Sequence, residues 1–233
     1  MNAERFPLDW VDGFIDEIRP LVFLRDCDRL LIILPNETYK LNESGMRILK
    51  PLLSGEKLST WLGQRLPAET VREDLYRFFT GLVALMKGCL GEGRGRAEVE
   101  SRPYERPHHL LPVLSELAVT YRCNLRCAFC YAGEKEGSAR PDLTLDQIRL
   151  LLRRVRHEAQ VPSISLTGGE PTTRPDLPEI VRVAVEEGLR VNLISNGTLI
   201  DDQLATTLKQ AGLASAQISL EGPSAEVHDA LTK

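Results

Sequence analysis

Three cysteines stand close together near the middle of the chain, at Cys123, Cys127 and Cys130. Thiolates with this spacing can converge on one soft centre, either a metal ion or an iron–sulfur cluster. A structural zinc ion is normally held by four ligands, and the sequence offers no convincing fourth ligand nearby. Three cysteine ligands on a cluster would leave one iron open to a small molecule. The alternative is that these cysteines are buried or bind zinc.

Three further motifs follow along the chain: Gly168-Gly169-Glu170-Pro171, Ser195-Asn196-Gly197, and an acidic residue, Glu221. Each alone is typical of an ordinary turn, because glycine, asparagine and serine are common where a strand ends. The two adjacent glycines permit a close backbone approach, and Glu170 places a carboxylate beside them. The significance of these motifs comes from where they fall relative to the predicted strands.

The elements that would position these motifs are four short strands separated by helices. Apolar and β-branched runs predict the strands Glu116–Thr120, Ser163–Leu166, Arg190–Ile194 and Ala216–Leu220. Apolar residues at helical spacing predict the intervening helices, the first of them capped by Thr144 with Gln147. This alternation predicts an α/β fold with a parallel sheet and helices on its outside. Because the carboxyl ends of parallel strands share one edge, we expect the four motifs to meet there in one functional site.

The order of these motifs resembles the radical S-adenosylmethionine (SAM) superfamily, with Phe129 at the aromatic position of the cysteine loop. The resemblance covers the chain from about Leu114 to Lys233. It implies that the three cysteines ligate three irons of a [4Fe–4S] cluster and that SAM chelates the fourth. It also implies an enzyme in which one electron cleaves SAM, releasing a 5′-deoxyadenosyl radical that abstracts a substrate hydrogen.

The same resemblance implies contacts between SAM and the remaining motif residues. The GGEP segment would contact the methionine amino group, with the Glu170 carboxylate complementing its charge. Ser195, Asn196 and Glu221 would lie near the ribose or the methionyl portion. The backbone near adenine would be that around Phe129 and Tyr131. A reductant protein such as a flavodoxin or ferredoxin would supply the electron.

Residues 1–90 form a second region, which a predicted linker at 91–113 joins to the region 114–233. Its pattern predicts three short strands and three helices, a small α+β winged-helix domain. The stretch YKLNESGMRILKPLLSGEKLSTWL resembles PqqD-like peptide-recognition domains, in which a precursor's leader peptide adds a strand to the sheet edge. Winged helices often bind DNA, but residues 1–95 carry 13 Lys+Arg against 14 Asp+Glu and lack the positive face that phosphate contacts need.

Composition narrows the class of protein further. A net charge of −4 gives no general attraction to nucleic acid or to anionic membranes. The chain shows no secretory signal and no apolar run long enough to cross a bilayer, and its five cysteines do not suggest a disulfide framework. We therefore expect a cytoplasmic radical SAM protein that modifies a ribosomally made precursor peptide, with the N-terminal domain binding the leader.

Radical SAM cores generally contain six strand–helix units, whereas about four are predicted here, so we expect a partial barrel, truncated near Lys233, with an incomplete substrate pocket.

Two alternatives to this function remain open from the sequence. The first alternative is a non-catalytic leader-peptide-binding adaptor. The second is a radical SAM enzyme that acts on a small molecule in cofactor biosynthesis.

Overall fold

The computed structural model describes residues 6–63, 68–86, 110–130 and 141–232 of the chain. The chain divides into two compact units, Met1–Leu110 and Leu111–Lys233. Within the described ranges, no helix is both long enough and apolar enough to span a membrane.

The first unit contains a small antiparallel sheet with strand order β1-β2-β3. Its strands are β1 (Val22–Arg25), β2 (Leu30–Ile33) and β3 (Glu37–Lys40). The described helices of this unit are α1 (Val11–Ile18), α2 (Glu43–Leu53), α3 (Leu58–Leu62) and α4 (Glu69–Met86). Apolar side chains from all four helices and from β2 form its core. The unit is therefore α+β, and β2 is the central strand of its sheet.

The three predicted strands and the helix after Asn42 are present in this unit, and the Asn42 side chain accepts the N–H of Gly45 at 2.7 Å. Helix α1 was not predicted. It buries Val11, Ile15 and Ile18 on one face, a spacing that the sequence does contain. The helix predicted over 57–66 is observed as α3, and residues 64–67 lie outside the described residues.

The second unit is built on a parallel sheet with strand order β4-β5-β6-β7. Its strands are β4 (Ser115–Thr120), β5 (Ser163–Gly168), β6 (Arg190–Ser195) and β7 (Ser215–Ile218). The described helices are α5 (Leu145–Arg153), which continues as a π-helical turn at Arg154–Glu158, α6 (Leu177–Glu186), α7 (Asp202–Gln210) and α8 (Ala225–Thr232). The predicted α/β fold with a parallel sheet is confirmed.

Residues of alternating character divide the sheet into two faces. Ile164, Leu166, Val191 and Leu193 are buried in a core that they share with α5, α6 and α7. The intervening residues of the central strands include polar ones, and Asn192 donates to Ser165 Oγ at 3.3 Å. Because successive strand residues point to opposite faces, one face is covered by helices and the other carries polar groups. All strands run in the same direction, so their carboxyl ends lie at one edge.

Helix boundaries in this unit follow local signals. Thr144 accepts the N–H of Gln147 at 3.3 Å, and the Gln147 side chain accepts the N–H of Thr144 at 2.9 Å, so the predicted capping box begins α5. Asp201 accepts the N–H of Leu204 at 2.7 Å and begins α7. These caps fix where each helix returns the chain to the sheet.

Candidate functional site

A cavity of about 200 Å³ lies at the carboxyl ends of the parallel strands. It brings together ten of the residues predicted for the site: Cys123, Cys127, Phe129, Cys130, Gly168, Gly169, Glu170, Ser195, Asn196 and Glu221 line it, the last of these after β7. Pro171 is buried at the start of a single 3-10 turn, Pro171–Thr173, and does not line the cavity. Tyr131 lies outside the described residues. The predicted convergence of the motifs on one edge of the sheet is observed.

The cysteine loop follows β4 and is held by its own backbone. The N–H of Cys130 donates to the carbonyl of Cys127 at 3.1 Å, and the N–H of Leu125 donates to Sγ of Cys123 at 3.4 Å. Burial raises the pKa of the Cys127 thiol, and the neighbouring Cys123 and Cys130 thiols raise it further. The three sulfur atoms are therefore close enough to influence one another electrostatically.

The spacing of the three thiols bears on which centre they could hold. Across the described ranges, no three His, Cys, Asp or Glu side chains are close enough together to hold a single metal ion. A zinc ion needs its ligands within bonding distance of one point, whereas cysteines that bind a cubane cluster each reach a different iron. Three thiols on one short loop that line one cavity are compatible with the ligation of a cubane cluster by three cysteines.

The two glycines of the β5 loop allow this loop to lie directly against the segment that leads into the cysteine loop. A Cβ atom on Gly168, whose φ is +134°, would lie 2.0 Å from the carbonyl oxygen of Thr120. A Cβ atom on Gly169 would lie 2.3 Å from the carbonyl oxygen of Arg122. The N–H of Gly169 donates to Thr120 at 2.9 Å, and the N–H of Glu170 donates to Arg122 at 2.8 Å. Only glycine fits this close approach.

Glu170 is 1% exposed, and its carboxylate is surrounded by donors from the protein itself. Its Oε1 accepts the Thr172 N–H at 3.0 Å, the Thr172 hydroxyl at 2.5 Å and the Ser195 hydroxyl at 2.8 Å. Its Oε2 accepts the Asn196 N–H at 2.7 Å. A carboxylate has about four acceptor positions, two on each oxygen. The main role of Glu170 is therefore to join the β5 and β6 loops. Of its two carboxylate oxygens, only Oε2 can accept another hydrogen bond.

The β6 loop is joined to the cysteine loop through a small set of polar side chains. Asn196 donates from Nδ2 to Oδ1 of Asn124 at 3.0 Å, and Asn124 donates from Nδ2 to Oγ1 of Thr198 at 2.8 Å. Thr198 in turn donates to Oδ1 of Asn196 from its hydroxyl at 2.7 Å and from its N–H at 3.0 Å. The ring closes, so Asn124, which lies between two of the cysteines, has a fixed position. Sequence reasoning did not single it out.

Helix α8 is joined to the cysteine loop by two backbone hydrogen bonds. The N–H of Arg126 donates to the carbonyl of Thr232 at 3.1 Å, and the N–H of Ala128 donates to the carbonyl of Leu231 at 2.8 Å. His228 of the same helix lines the cavity, and its Nδ1 accepts the Glu221 N–H at 3.1 Å. The residues predicted for the site from the sequence do not include His228. Its position four residues before Thr232, on the same face of the helix, is the signal that could have identified it.

The charges around the cavity have one sign. Among the described residues, its lining includes the carboxylates Glu170 and Glu221 and three cysteines, but no lysine or arginine. A concave site with acidic groups attracts cationic ligands. The lining is therefore suited to a ligand that carries a positive charge.

Comparison with known proteins gives the relatives of this chain. The family model of the radical SAM superfamily matches residues 117–233. Fe-coproporphyrin III synthase of Methanosarcina barkeri (strain Fusaro / DSM 804) is 40% identical over 104 residues, covering 45% of this chain and 26% of that protein. PqqA peptide cyclase of Rhodopseudomonas palustris (strain ATCC BAA-98 / CGA009) is 35% identical over 119 residues, covering 51% of this chain and 31% of that protein.

Among solved structures, Streptococcus suis SuiB bound to its precursor peptide SuiA superposes with a TM-score of 0.56 at 16% sequence identity. The superposition covers 91% of this chain and 49% of SuiB. At this identity the likeness is one of fold. The matched segments span about a quarter to a third of the two curated relatives and about half of SuiB.

Proposed function

Because the chain belongs to the radical SAM superfamily, whose members are enzymes that use a [4Fe–4S] cluster and SAM, we propose that Cys123, Cys127 and Cys130 ligate this cluster and that the adjoining cavity binds SAM. The observation that carries the proposal is that the cysteines, the paired glycines and Glu221 line one cavity. When bound, the cluster and SAM together supply one-electron cleavage of SAM and a carbon radical that removes a substrate hydrogen.

The residues of the chain have separate tasks in this proposal. Gly168 and Gly169 bring their backbone against the cysteine loop, where a side chain would prevent the approach. Glu170 holds the β5 and β6 loops together, so Ser195 and Asn196 have fixed positions beside the cavity. The carboxylate of Glu221 adds negative charge opposite the cationic sulfonium and ammonium groups of SAM. The protein would thus orient SAM and keep water from the radical.

We propose that the four strands and their helices form part of a (β/α) radical SAM barrel, and that the first unit is a PqqD-like winged-helix domain. The parallel order β4-β5-β6-β7 supports the first statement. The three-stranded antiparallel sheet with its accompanying helices supports the second, because β1 and β3 are the outer strands of this sheet among the described residues. An extended peptide can add to the edge of an outer strand through backbone hydrogen bonds.

The substrate that we propose is a ribosomally made precursor peptide, whose leader adds to the sheet of the first unit while the core peptide reaches the cavity. Two comparisons support it. PqqA peptide cyclase is named for a peptide, and SuiB, whose likeness covers 91% of this chain, was solved with its precursor peptide bound. A reductant protein such as a flavodoxin or ferredoxin would deliver the electron.

A second candidate function is modification of a small molecule. Fe-coproporphyrin III synthase is 40% identical over the matched segment, and its name refers to a tetrapyrrole rather than to a peptide. In this case the first unit would have only a structural role. A third candidate is a leader-peptide adaptor without radical chemistry. The experiments below separate the three.

The cluster and SAM are tested first by electron paramagnetic resonance on anaerobically reconstituted, dithionite-reduced protein, with and without SAM. We expect a [4Fe–4S]⁺ signal that shifts when SAM is added and 5′-deoxyadenosine among the products. Cys127→Ala should lose the signal. Cys27→Ala is the matched control, because Cys27 lies in the first unit, and should keep it. A cluster that is indifferent to SAM would contradict the proposal, and peptide binding without deoxyadenosine would favour the adaptor.

The substrate class is tested by binding to the full-length chain. One probe is a fluorescent synthetic peptide encoded by the short reading frame nearest to the gene, and the other is iron coproporphyrin III in equilibrium dialysis. We expect peptide binding together with slower amide exchange in β3 or β1, the outer strands of the described sheet. Equal affinity for a leaderless peptide, or binding of the tetrapyrrole alone, would contradict the peptide proposal.

A further inference from the structure

His228 presents one ring nitrogen to the protein and has a second one left over. Its Nδ1 accepts the backbone N–H of Glu221 at 3.1 Å. Since a backbone amide can only donate, Nδ1 carries no proton, and the neutral ring must carry its proton on Nε2. Within the described ranges no side chain or carbonyl accepts that proton. His228 therefore lines the cavity with an N–H donor whose acceptor is still to be identified.

Helix α8, which carries this ring, is held by hydrogen bonds within the helix and to the cysteine loop. The Thr232 hydroxyl donates to the His228 carbonyl at 3.0 Å within α8. The last carbonyls of the same helix accept the N–H groups of Arg126 and Ala128 from the cysteine loop. The helix that carries His228 is thus held against the cysteine loop, and the ring itself is held to Glu221 through Nδ1.

Three of the other side-chain donors around the cavity are already engaged. The Ser195 hydroxyl donates to Glu170, Asn196 donates from Nδ2 to Asn124, and the Thr232 hydroxyl donates to a backbone carbonyl. The carboxylates of the cavity are acceptors only. The side-chain donors that a ligand with oxygen acceptors would meet here therefore include the Nε2–H of His228 and the hydroxyls of Thr167 and Ser219, which also line the cavity.

We propose that His228 is a SAM-binding residue whose Nε2–H donates to an oxygen of the bound SAM while its Nδ1 holds the Glu221 backbone in place. The inference rests on the proposed function of the cavity as a SAM site. The acceptor is either the methionine carboxylate or a ribose hydroxyl, because these are the oxygens that SAM offers. The two roles use different nitrogen atoms, so they can be separated by substitution.

Two amide variants, each of which reproduces one ring nitrogen of histidine, separate the donor role of Nε2 from the acceptor role of Nδ1. In His228→Asn the amide oxygen takes the place of Nδ1, so the acceptor for Glu221 is kept and the cavity donor is lost. In His228→Gln the amide nitrogen takes the place of Nε2, so the donor is kept and the acceptor is lost. A neutral hydrogen bond contributes about 0.5–1.5 kcal/mol, which corresponds to roughly 2–10-fold in affinity.

The test measures the Kd for SAM by equilibrium dialysis against cluster-loaded protein, and the amide exchange of residues 219–222 in protein without SAM. We expect His228→Asn to weaken SAM binding by about 2–10-fold with exchange unchanged, and His228→Gln to accelerate exchange while retaining more of the affinity. 5′-Methylthioadenosine, which has a ribose but no carboxylate, identifies the acceptor. If only SAM binding weakens, the acceptor is the carboxylate, and if both weaken, it is the ribose.

Two results would overturn the inference, and they differ from failure of the proposed function. Wild-type affinity in His228→Asn would remove the donor role, and unchanged exchange in His228→Gln would remove the role of Nδ1. If the wild-type chain holds its cluster but does not bind SAM, the proposed function fails and the inference fails with it. Iron content after reconstitution is measured for each variant, so that a weaker Kd is not mistaken for cluster loss.

Discussion

Ser195 donates its hydroxyl to Oε1 of Glu170 at 2.8 Å and thereby joins the loop after β6 to the loop after β5. The same carboxylate accepts the Asn196 N–H through Oε2 at 2.7 Å, and Thr172 donates to it twice. Ser195 is 2% exposed, so its hydroxyl has no access to water as a substitute acceptor. This one contact therefore couples two of the loops that form the cavity.

Replacement of Glu170 by glutamine should destabilise the second unit. One of its oxygens becomes an NH₂ group, which faces either the Asn196 N–H or the three donors on Oε1. A buried donor left without an acceptor costs about 1–3 kcal/mol. We expect the free energy of unfolding of the cluster-free chain to fall by about that amount, as measured by urea denaturation with circular dichroism.

The matched control for this variant is Glu116→Gln. Glu116 is an exposed residue of β4 in the same sheet, so its substitution should change the free energy of unfolding by less than about 0.5 kcal/mol. Equal stability of Glu170→Gln and Glu116→Gln would show that the four contacts of Glu170 contribute little to the fold. This result would then favour the interpretation from the sequence, in which the Glu170 carboxylate is available to the methionine amino group of SAM.

Gly169→Ala should disturb the junction between β5 and the cysteine loop. Its Cβ atom would lie 2.3 Å from the carbonyl oxygen of Arg122 and 2.8 Å from that of Tyr121, and backbone atoms cannot turn aside as a side chain can. We expect a loss of about 1–3 kcal/mol in unfolding free energy and a lower iron content after reconstitution.

Gly81→Ala tests the same change where space is free. Gly81 lies within α4, and a Cβ atom there would meet no atom within 4 Å. Alanine should therefore stabilise the helix by about 0.5–1 kcal/mol, because it loses less backbone entropy on folding. If Gly169→Ala and Gly81→Ala shift the urea midpoint in the same direction, the close approach of Gly169 to Arg122 is not a constraint.

Acid should weaken the contact between Arg174 and Asp176. The side-chain hydrogen bonds from Arg174, at 2.8 and 2.6 Å, hold the pKa of Asp176 below its ordinary value. A carboxyl whose folded pKa is lowered stabilises the fold above its unfolded pKa of about 3.9, and this contribution is lost as the pH falls through the folded value. The contribution of Asp176 to stability should therefore begin to fall near the unfolded pKa of about 3.9 and be lost only below the folded pKa.

The measurement compares the free energy of unfolding of wild-type protein and Asp176→Asn between pH 7 and pH 3. The Asp176 side chain is 40% exposed, so solvent screens the pair and the difference at pH 7 should be only about 0.2–1 kcal/mol. The two curves should converge at low pH. Asp202→Asn, an exposed change in the first turn of α7, is the control. Curves that stay parallel down to pH 3 would contradict a lowered pKa of Asp176 in the folded protein.

Local signals in the sequence predicted most of the second unit. The capping box of Thr144 and Gln147 involves residues three apart, so both of its hydrogen bonds could be anticipated without the fold. The fourth strand was predicted as Ala216–Leu220 and is observed as Ser215–Ile218, which is a difference at its ends only. The meeting of the motifs at one edge followed from the parallel order of the strands.

The roles of Glu170 and His228 could not be predicted in this way. The donors to Glu170 come from Thr172 close by and from Ser195 and Asn196, which follow Glu170 by 25 and 26 positions. Only the packing of β5 beside β6 brings these residues together. His228 acquires its role from a backbone N–H seven residues earlier, across a turn whose path the sequence does not reveal. Side-chain partners between elements depend on tertiary packing, so periodicity and motif spacing do not identify them.

Asn124 should act as a positioning residue for the cysteine loop. Its amide group accepts from Asn196 at 3.0 Å and donates to Thr198 at 2.8 Å, so it fixes the loop between Cys123 and Cys127 to the loop after β6. Asn124→Ala breaks both contacts, each of which contributes about 0.5–1.5 kcal/mol. We expect the cluster to assemble but to be lost to a chelator several times faster than in the wild-type chain.

Asn124→Asp provides the rescue that separates positioning from general damage. The aspartate keeps an acceptor for Asn196, while its second oxygen can accept the Thr198 hydroxyl only if that hydroxyl turns away from Asn196. Chelator resistance should therefore be intermediate between wild type and Asn124→Ala, at an unchanged urea midpoint. If both variants lose the cluster as slowly as wild type, the ring of Asn124, Asn196 and Thr198 does not hold the cysteine loop. If Asn124→Asp loses it as fast as Asn124→Ala, the contact with Thr198 carries the effect, because that is the contact which both variants change.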